Sequence, residues 1–226
     1  EGISALEQAT QETPDDPMIL EELARLYEQS ERYGDLVRVL ERLVEKAADP
    51  RDNAGLFHRI GQLYEERIDD DEQAIRWYER ELKLDGTYVP ALQALGRLYA
   101  EREQWGPLVD MYRAEADGSQ EPRRRAAAHA RVADVLESKL GQLEAAANEH
   151  ARALAAVPGY APSFEALSRL YIQASKWREL GALYETAVDL AEDDETKLTY
   201  LFKIGRLHED ALDAAAQALS TYRRVL

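Results

Sequence analysis

Apolar residues recur along the chain at helical spacing, and the helices they mark recur in turn. An aliphatic residue followed by an anchor stands at Leu26-Tyr27, Leu63-Tyr64, Leu98-Tyr99, Val135-Leu136, Leu170-Tyr171 and Leu207-His208. The anchors lie alternately 37 and 35 residues apart, so the true period is 72 residues with two related halves. Four residues before each anchor sits an aliphatic side chain: Leu23, Ile60, Leu95, Val132, Leu167 or Ile204. Three before it sits a small one: Ala24, Gly61, Gly96, Ala133, Ser168 or Gly205. Together these fall on one stripe of a helix. Gly costs about 1 kcal/mol in a helix interior, so glycines there predict close approach by a neighbouring helix.

A second helix follows each first one. In the odd halves it carries Leu36, Leu108 and Leu180, then Leu40, Tyr112 and Tyr184. In the even halves it carries Ala74, Ala146 and Ala218, then Tyr78, His150 and Tyr222, one residue farther from the anchor. The even halves therefore need one extra residue in their turn, as at Asp69-Asp70-Asp71. The odd halves open their second helix on Tyr33, Trp105 or Trp177. The pattern predicts thirteen helices, over 3–13, 17–30, 33–47, 54–68, 71–85, 90–103, 105–117, 123–140, 143–156, 162–175, 177–191, 195–210 and 213–226. Pro17, Pro90 and Pro162 fall at first-helix entries, where a missing N–H does no harm. Pro14, Pro50, Pro122 and Pro158 fall in links between halves, and Pro107 at the start of a second helix. No segment alternates with period two between hairpin turns, so no strand is predicted.

This grammar resembles the tetratricopeptide repeat (TPR). Half two reads Ile60-Gly61-Gln62-Leu63-Tyr64 followed by Ala74 and Tyr78, and half four adds Ala146, Ala153 and Pro158. The sequence departs from the family pattern where Leu replaces the first Ala in odd halves and Gly86 replaces the Pro in half two. The resemblance implies an all-α, right-handed α-solenoid of antiparallel helical hairpins. The expected layout is one array over 1–226: a second helix of a preceding repeat (1–16), then repeats 17–53, 54–89, 90–125, 126–161, 162–197 and 198–226. It reads as a piece of a longer array. Its end helices, through Ile3 and Leu6 at one end and Leu219, Val225 and Leu226 at the other, are expected to associate end to end. The 72-residue doublet is similar to long repeat proteins of GC-rich bacteria, in keeping with 22 Arg against six Lys.

Composition narrows the chemistry. The chain has no Cys, which excludes disulfides and thiolate metal sites. Its net charge of −16, of which residues 1–72 carry −12, argues against a general nucleic-acid surface. The one basic run, Arg123-Arg124-Arg125, pairs with Glu115, Asp117 or Glu121, or meets an acidic partner. The four His (58, 129, 150 and 208) form no ligand motif. His150 and His208 take positions where sister halves carry packing residues. The acidic runs at 69–72 and 192–195 lack calcium-loop spacing and precede helices, where carboxylates cap N–H groups. No Gly-rich phosphate loop or nucleophile elbow is present. Neither enzyme activity nor a metal or cofactor is expected. No apolar run approaches the roughly 20 residues of a membrane span, and no signal peptide opens the sequence, so the expectation is cytoplasmic.

The resemblance implies a non-catalytic protein–protein interaction scaffold that binds a partner segment in a concave groove. It leaves open a regulatory or substrate-docking array of a larger enzyme, and a bacterial polarity or motility scaffold recruiting a small GTPase. In TPR proteins the first helices line the groove, through residues two and six before the anchor. Carried onto this sequence, the first set is Arg25, Gln62, Arg97, Asp134, Arg169 and Arg206, and the second Glu21, His58, Gln93, Ala130, Glu165 and Phe202. Four Arg in the first set suit an acidic partner segment, extended or helical, seated by Phe202. Arg97 and Arg206 have i+4 acids, whereas Arg25 and Arg169 face Gln29 and Gln173. A chaperone-tail carboxylate clamp is not expected, because neither Asn53 nor Asn148 is at a groove position. Trp77 aligns with Glu149 and Thr221 and so reads as lying outside the core. It is then either an exposed hot spot for a partner or a ring along a neighbouring helix.

Overall fold

The computed structural model describes residues 2–46 and 54–225. Thirteen helices and no strand occur among the described residues. They are α1 (Gly2–Glu12), α2 (Pro17–Gln29), α3 (Tyr33–Lys46), α4 (Ala54–Leu63), α5 (Asp71–Leu84), α6 (Val89–Glu101) and α7 (Trp105–Gly118). Then follow α8 (Pro122–Ser138), α9 (Leu143–Ala156), α10 (Ala161–Gln173), α11 (Trp177–Leu190), α12 (Asp194–Asp210) and α13 (Ala215–Arg223). The predicted end of α3 at 47, the boundary at 53, Pro50 and Leu226 lie outside the described residues. Within each of two compact units the helices pack mainly on their sequence neighbours, as in an all-α solenoid of helical hairpins. The helices group into two compact units, 1–104 and 105–226, divided within the predicted repeat 90–125.

The backbone carries the 72-residue period directly. Left-handed residues close the odd-half turns at Glu31, Glu103 and Ser175, with φ of 55°, 53° and 53°. They close the even-half turns at Asp69, Gly141 and Asp213, with φ of 63°, 64° and 48°. Each set is spaced by 72 residues. The extra residue of the even halves is visible too. Four residues link α8 to α9 and α12 to α13, against three between α2 and α3 or α10 and α11. After α4 the surplus is taken up differently: its last turn, Tyr64–Ile68, widens to a π-turn, and only residues 69 and 70 remain as the link.

Helix starts follow the expected chemistry. Met18 N donates to the Asp16 carboxylate, Gln73 N to Asp70 at 3.1 Å, and Thr196 N to Asp193 at 2.6 Å. The acidic runs at 69–72 and 192–195 thus supply caps. Pro17, Pro90, Pro122 and Pro162 all sit in first turns.

In the first unit Leu20, Leu23, Leu36, Leu40, Ile60 and Trp77 are among the side chains of one buried cluster, and Ile3 and Leu6 of α1 pack against it. In the second unit, Val132, Leu136, Leu167 and Leu170 share one cluster and Val188, Leu201 and Ile204 another. The small signature positions mark close approach, as expected. A Cβ on Gly61 would stand 2.5 Å from the Tyr78 ring, and one on Gly205 would stand 2.2 Å from the Tyr222 ring.

The reading of Trp77 as lying outside the core is overturned. Its exposure is 5%, it packs on Phe57 with ring centroids 5.7 Å apart, and Arg80 covers its outer face. The aligned polar residues misled because they are buried as well. Glu149 is 2% exposed and receives Arg113 at 3.0 Å, Arg152 at 3.2 Å and His129 at 2.9 Å. Thr221 is 5% exposed and donates its hydroxyl to Gln217 O. One period apart, the same place is filled by an aromatic pair (Phe57 and Trp77) and by a hydrogen-bonded polar couple (His129 and Glu149). A polar residue in a repeat column therefore signals exposure only if it lacks a partner in its own repeat.

Candidate partner-binding grooves

The positions two before each anchor are exposed in both units: Arg25, Gln62 and Arg97 in the first, Asp134, Arg169 and Arg206 in the second. The second set is mixed. Glu21, Gln93, Glu165 and Phe202 are exposed, but Ala130 is buried and His58 half-buried. His58 points Nδ1 at the buried Glu81, 3.2 Å away, and its ring sits between Tyr78 and Tyr88. It belongs to internal packing as much as to a groove.

The arginines are not free, which corrects the expectation for Arg25 and Arg169. Arg25 pairs within its helix with Glu22, Nε donating at 2.8 Å. Arg169 reaches across to α8 and binds Glu137 through both terminal nitrogens, one at 2.9 Å. That bond holds the Glu137 carboxyl below its ordinary value. Arg97 passes over Glu101 and pairs instead with Glu65, on the widened turn after α4. Arg206 does pair with Asp210, at 3.7 Å. Arg97–Glu65 and Arg169–Glu137 are one contact repeated after 72 residues, a bridge between successive first helices. Arg124 binds Glu115 at 3.2 Å, as expected for the basic run.

Two open grooves lie where first and second helices meet, one in each unit, and they are the same place two periods apart. The first, about 520 Å³, is lined by Glu21, Ala24, Arg25, Glu28, Leu40, Leu43, Leu56 and Arg59 among others. The second, about 640 Å³, is lined by the residues 144 farther on: Glu165, Ser168, Arg169, Ile172, Tyr184, Ala187, Tyr200 and Lys203, together with Phe164. Glu21 and Arg25 thus line one groove, and Glu165 and Arg169 the other. Phe202 is not with them: half-exposed, it turns to Tyr222, centroid to centroid 6.1 Å. The aromatic wall is built by Phe164, Tyr184 and Tyr200 instead, with centroids 5.6 to 6.4 Å apart. Lys203 lies over Tyr200 and Tyr184, 4.7 and 5.6 Å from their centroids. The Ser168 hydroxyl is buried at the same wall without a hydrogen-bond partner.

The sequence reading missed Phe164, Tyr200 and Lys203 because it took only two positions per first helix as groove-facing, and Tyr184 because it sits on a second helix, α11. The signal for Lys203 was present as a column: Arg59, Arg131 and Lys203 are one position in three periods.

Among the described residues no group of three or more His, Asp or Glu is arranged to hold a metal ion. No helix among them is long and apolar enough to cross a membrane.

Three solved structures show how the chain compares with known proteins. MamA is 15% identical, with 89% of this chain and 95% of that one covered and a TM-score of 0.41. YrrB, described as a TPR protein with an unusual peptide-binding site, is 16% identical over 82% and 91%, with a TM-score of 0.43. The C-terminal part of a TPR repeat-containing protein from Cytophaga hutchinsonii is 12% identical over 97% and 87%, with a TM-score of 0.46. No curated protein matches the sequence. The family description that does match is the tetratricopeptide repeat, at residues 19–54, 56–87 and 163–198. Those segments hold the α2–α3, α4–α5 and α10–α11 hairpins, and in them the chain carries tetratricopeptide repeats.

Proposed function

We propose that this chain is a non-catalytic protein–protein interaction scaffold that binds a segment of another protein along the first-helix face. The observation that carries this reading is the recurrence of an open groove at equivalent residues of both units, around Arg25 and around Arg169. Stacked hairpins bury their apolar stripes against each other, and the surface left over is long and groove-bearing. Exposed Gln62, Gln93 and Asp134, which have no role in the core, supply hydrogen-bonding groups for an incoming backbone. A photoreactive amino acid tests the face. Placed at Glu21 or Glu165 it is expected to crosslink a partner captured from cells. Placed at Arg38 or Asp110, exposed on second helices, it is expected not to. Crosslinking from the second-helix positions alone would overturn the reading.

A further inference from the structure

The groove around Arg169 differs from its sister sites in its charges and in its aromatic lining. Each repeat places a cation at the same point of its even-half first helix: Arg59, Arg131 and Lys203. In the first repeat Arg59 pairs with Glu28, at 2.7 Å. In the second Arg131 pairs with Glu115, at 2.8 Å, while lying 4.6 Å from the Tyr112 ring centroid. The residues equivalent to Glu28 and Glu115 in the third repeat are Ile172 and Ala187. Both carboxylates are gone, the cation is kept, and the space is lined by Phe164, Tyr184 and Tyr200. Lys203 rests on two of those rings and has no carboxylate partner among the described residues. The other cation of the groove, Arg169, is already bound to Glu137.

We infer that the α10–α12 groove takes an acidic segment of a partner protein, which inserts an apolar side chain between Phe164, Tyr184 and Tyr200 and sets a neighbouring carboxylate on Lys203. This rests on the reading of the first-helix face as a partner-binding surface and specifies the partner's chemistry. The partner's carboxylate takes the place that Glu28 and Glu115 hold in the sister repeats. Lys203 is exposed beside those rings, so an incoming carboxylate reaches its ammonium without breaking an internal ion pair. Glu165, in the same lining, is the groove's own acid and disfavours a carboxylate on its side, which fixes the segment's orientation.

Three sets of synthetic dodecapeptides test this by calorimetric titration against the whole chain at physiological salt. One is rich in Asp and Glu around a central Phe or Leu, one has Lys in place of the acids, and one keeps the acids around a central Gly. At that ionic strength screening over about 8 Å confines the effect of the chain's distant charges. The acidic set with the apolar centre is expected to bind best. Lys203→Met should weaken it about tenfold. Ala187→Glu, which restores the internal carboxylate of the second repeat, should do the same by occupying Lys203 from within. Arg38→Met, on an exposed second-helix face, should change nothing, and circular dichroism checks that each variant folds. Equal binding of the basic or Gly-centred peptides, or unchanged affinity in both groove variants, overturns this inference and leaves the scaffold reading standing. Failure of all three sets to bind overturns both.

Discussion

The Tyr78 ring lies across Gly61 so closely that a Cβ on that glycine would stand 2.5 Å from the nearest ring carbon. Tyr78 is 1% exposed, and its hydroxyl is tied to Glu65 at 2.9 Å, so the ring has no free direction in which to yield. Gly205 and Tyr222 repeat the arrangement two periods later. Gly61→Ala should therefore destabilise the first unit by about 1–3 kcal/mol through overpacking, against the gain in helix propensity that Ala brings elsewhere. Chemical denaturation followed by circular dichroism reads the change. A variant as stable as the parent would show that α4 and α5 can separate without loss.

Trp77 gives the second prediction. Buried against Phe57 and capped by Arg80, it should cost about 3–5 kcal/mol when cut to Ala. An exposed Trp would cost almost nothing. Its fluorescence provides a second measure: with Trp105 and Trp177 replaced by Phe, the remaining emission should be shielded from acrylamide until the unit unfolds.

Three of the four tyrosine anchors are tied to carboxylates of the helix before them. Tyr27 donates to Glu7 at 2.8 Å, Tyr64 to Glu41 at 2.9 Å and Tyr99 to Glu79 at 2.6 Å. Burial, followed by the hydrogen bond to the carboxylate, pushes Tyr27 and Tyr64 up to about 12 and Tyr99 upward as well. Unfolded tyrosine loses its proton near 10. Above that value the unfolded chain releases protons that the folded chain keeps, so stability should fall as pH rises from about 10 towards 12. Ultraviolet absorbance of tyrosinate should show these residues ionising late or only together with unfolding. Early, non-cooperative ionisation of all twelve tyrosines would contradict the anchors' burial.

The hairpins were legible in the sequence because their determinants are local and repeated. Anchors and small residues recur in all six halves, and Pro50 with Pro122 and Pro90 with Pro162 recur at 72, so the pattern survives a mismatch at any single place. The groove was legible only in part. Exposure of Arg25, Arg97 and Arg169 followed from the first-helix stripe, but the pairing of Arg97 and Arg169 did not, because Glu65 and Glu137 lie a full helix away in sequence, and Arg25 pairs backwards with Glu22 at i−3. An i+4 search finds Arg206 with Asp210 and is blind to bridges between first helices. Trp77 failed for the opposite reason: its column looked polar, and the buried ion pairs of Glu149 were invisible without coordinates. The widened turn after α4 is likewise beyond sequence, since the same surplus residue is accommodated in a loop after α8 and α12.

His150 departs from its column, and the last prediction follows from that. Its sister residues Tyr78 and Tyr222 donate to Glu65 and Glu209, at 2.9 and 3.2 Å. The equivalent acid beneath His150 is Glu137, and the small residue equivalent to Gly61 and Gly205 is Ala133. A glycine thus accompanies the larger ring and an alanine the smaller one. His150 is 1% exposed, its Nδ1 lies 3.1 Å from Ser163 Oγ, and its Nε2 has no partner. Burial holds its proton affinity below the ordinary 6.5, outweighing Asp134 and Glu137, which pull it up, while Arg169 adds to the depression. The unfolded chain binds a proton near 6.5 that the folded chain refuses, so stability should drop as pH falls below that value. His150→Tyr alone should overpack against Ala133 and lose about 1–3 kcal/mol. Together with Ala133→Gly it should restore the sister geometry, with the new hydroxyl on Glu137, and remove the histidine's share of the acid sensitivity. Denaturation of parent and double variant between pH 7 and 5 is the measurement. Their difference in stability should grow in favour of the variant as the pH passes down through about 6.5, and parallel profiles would rule out His150 as the buried neutral group responsible.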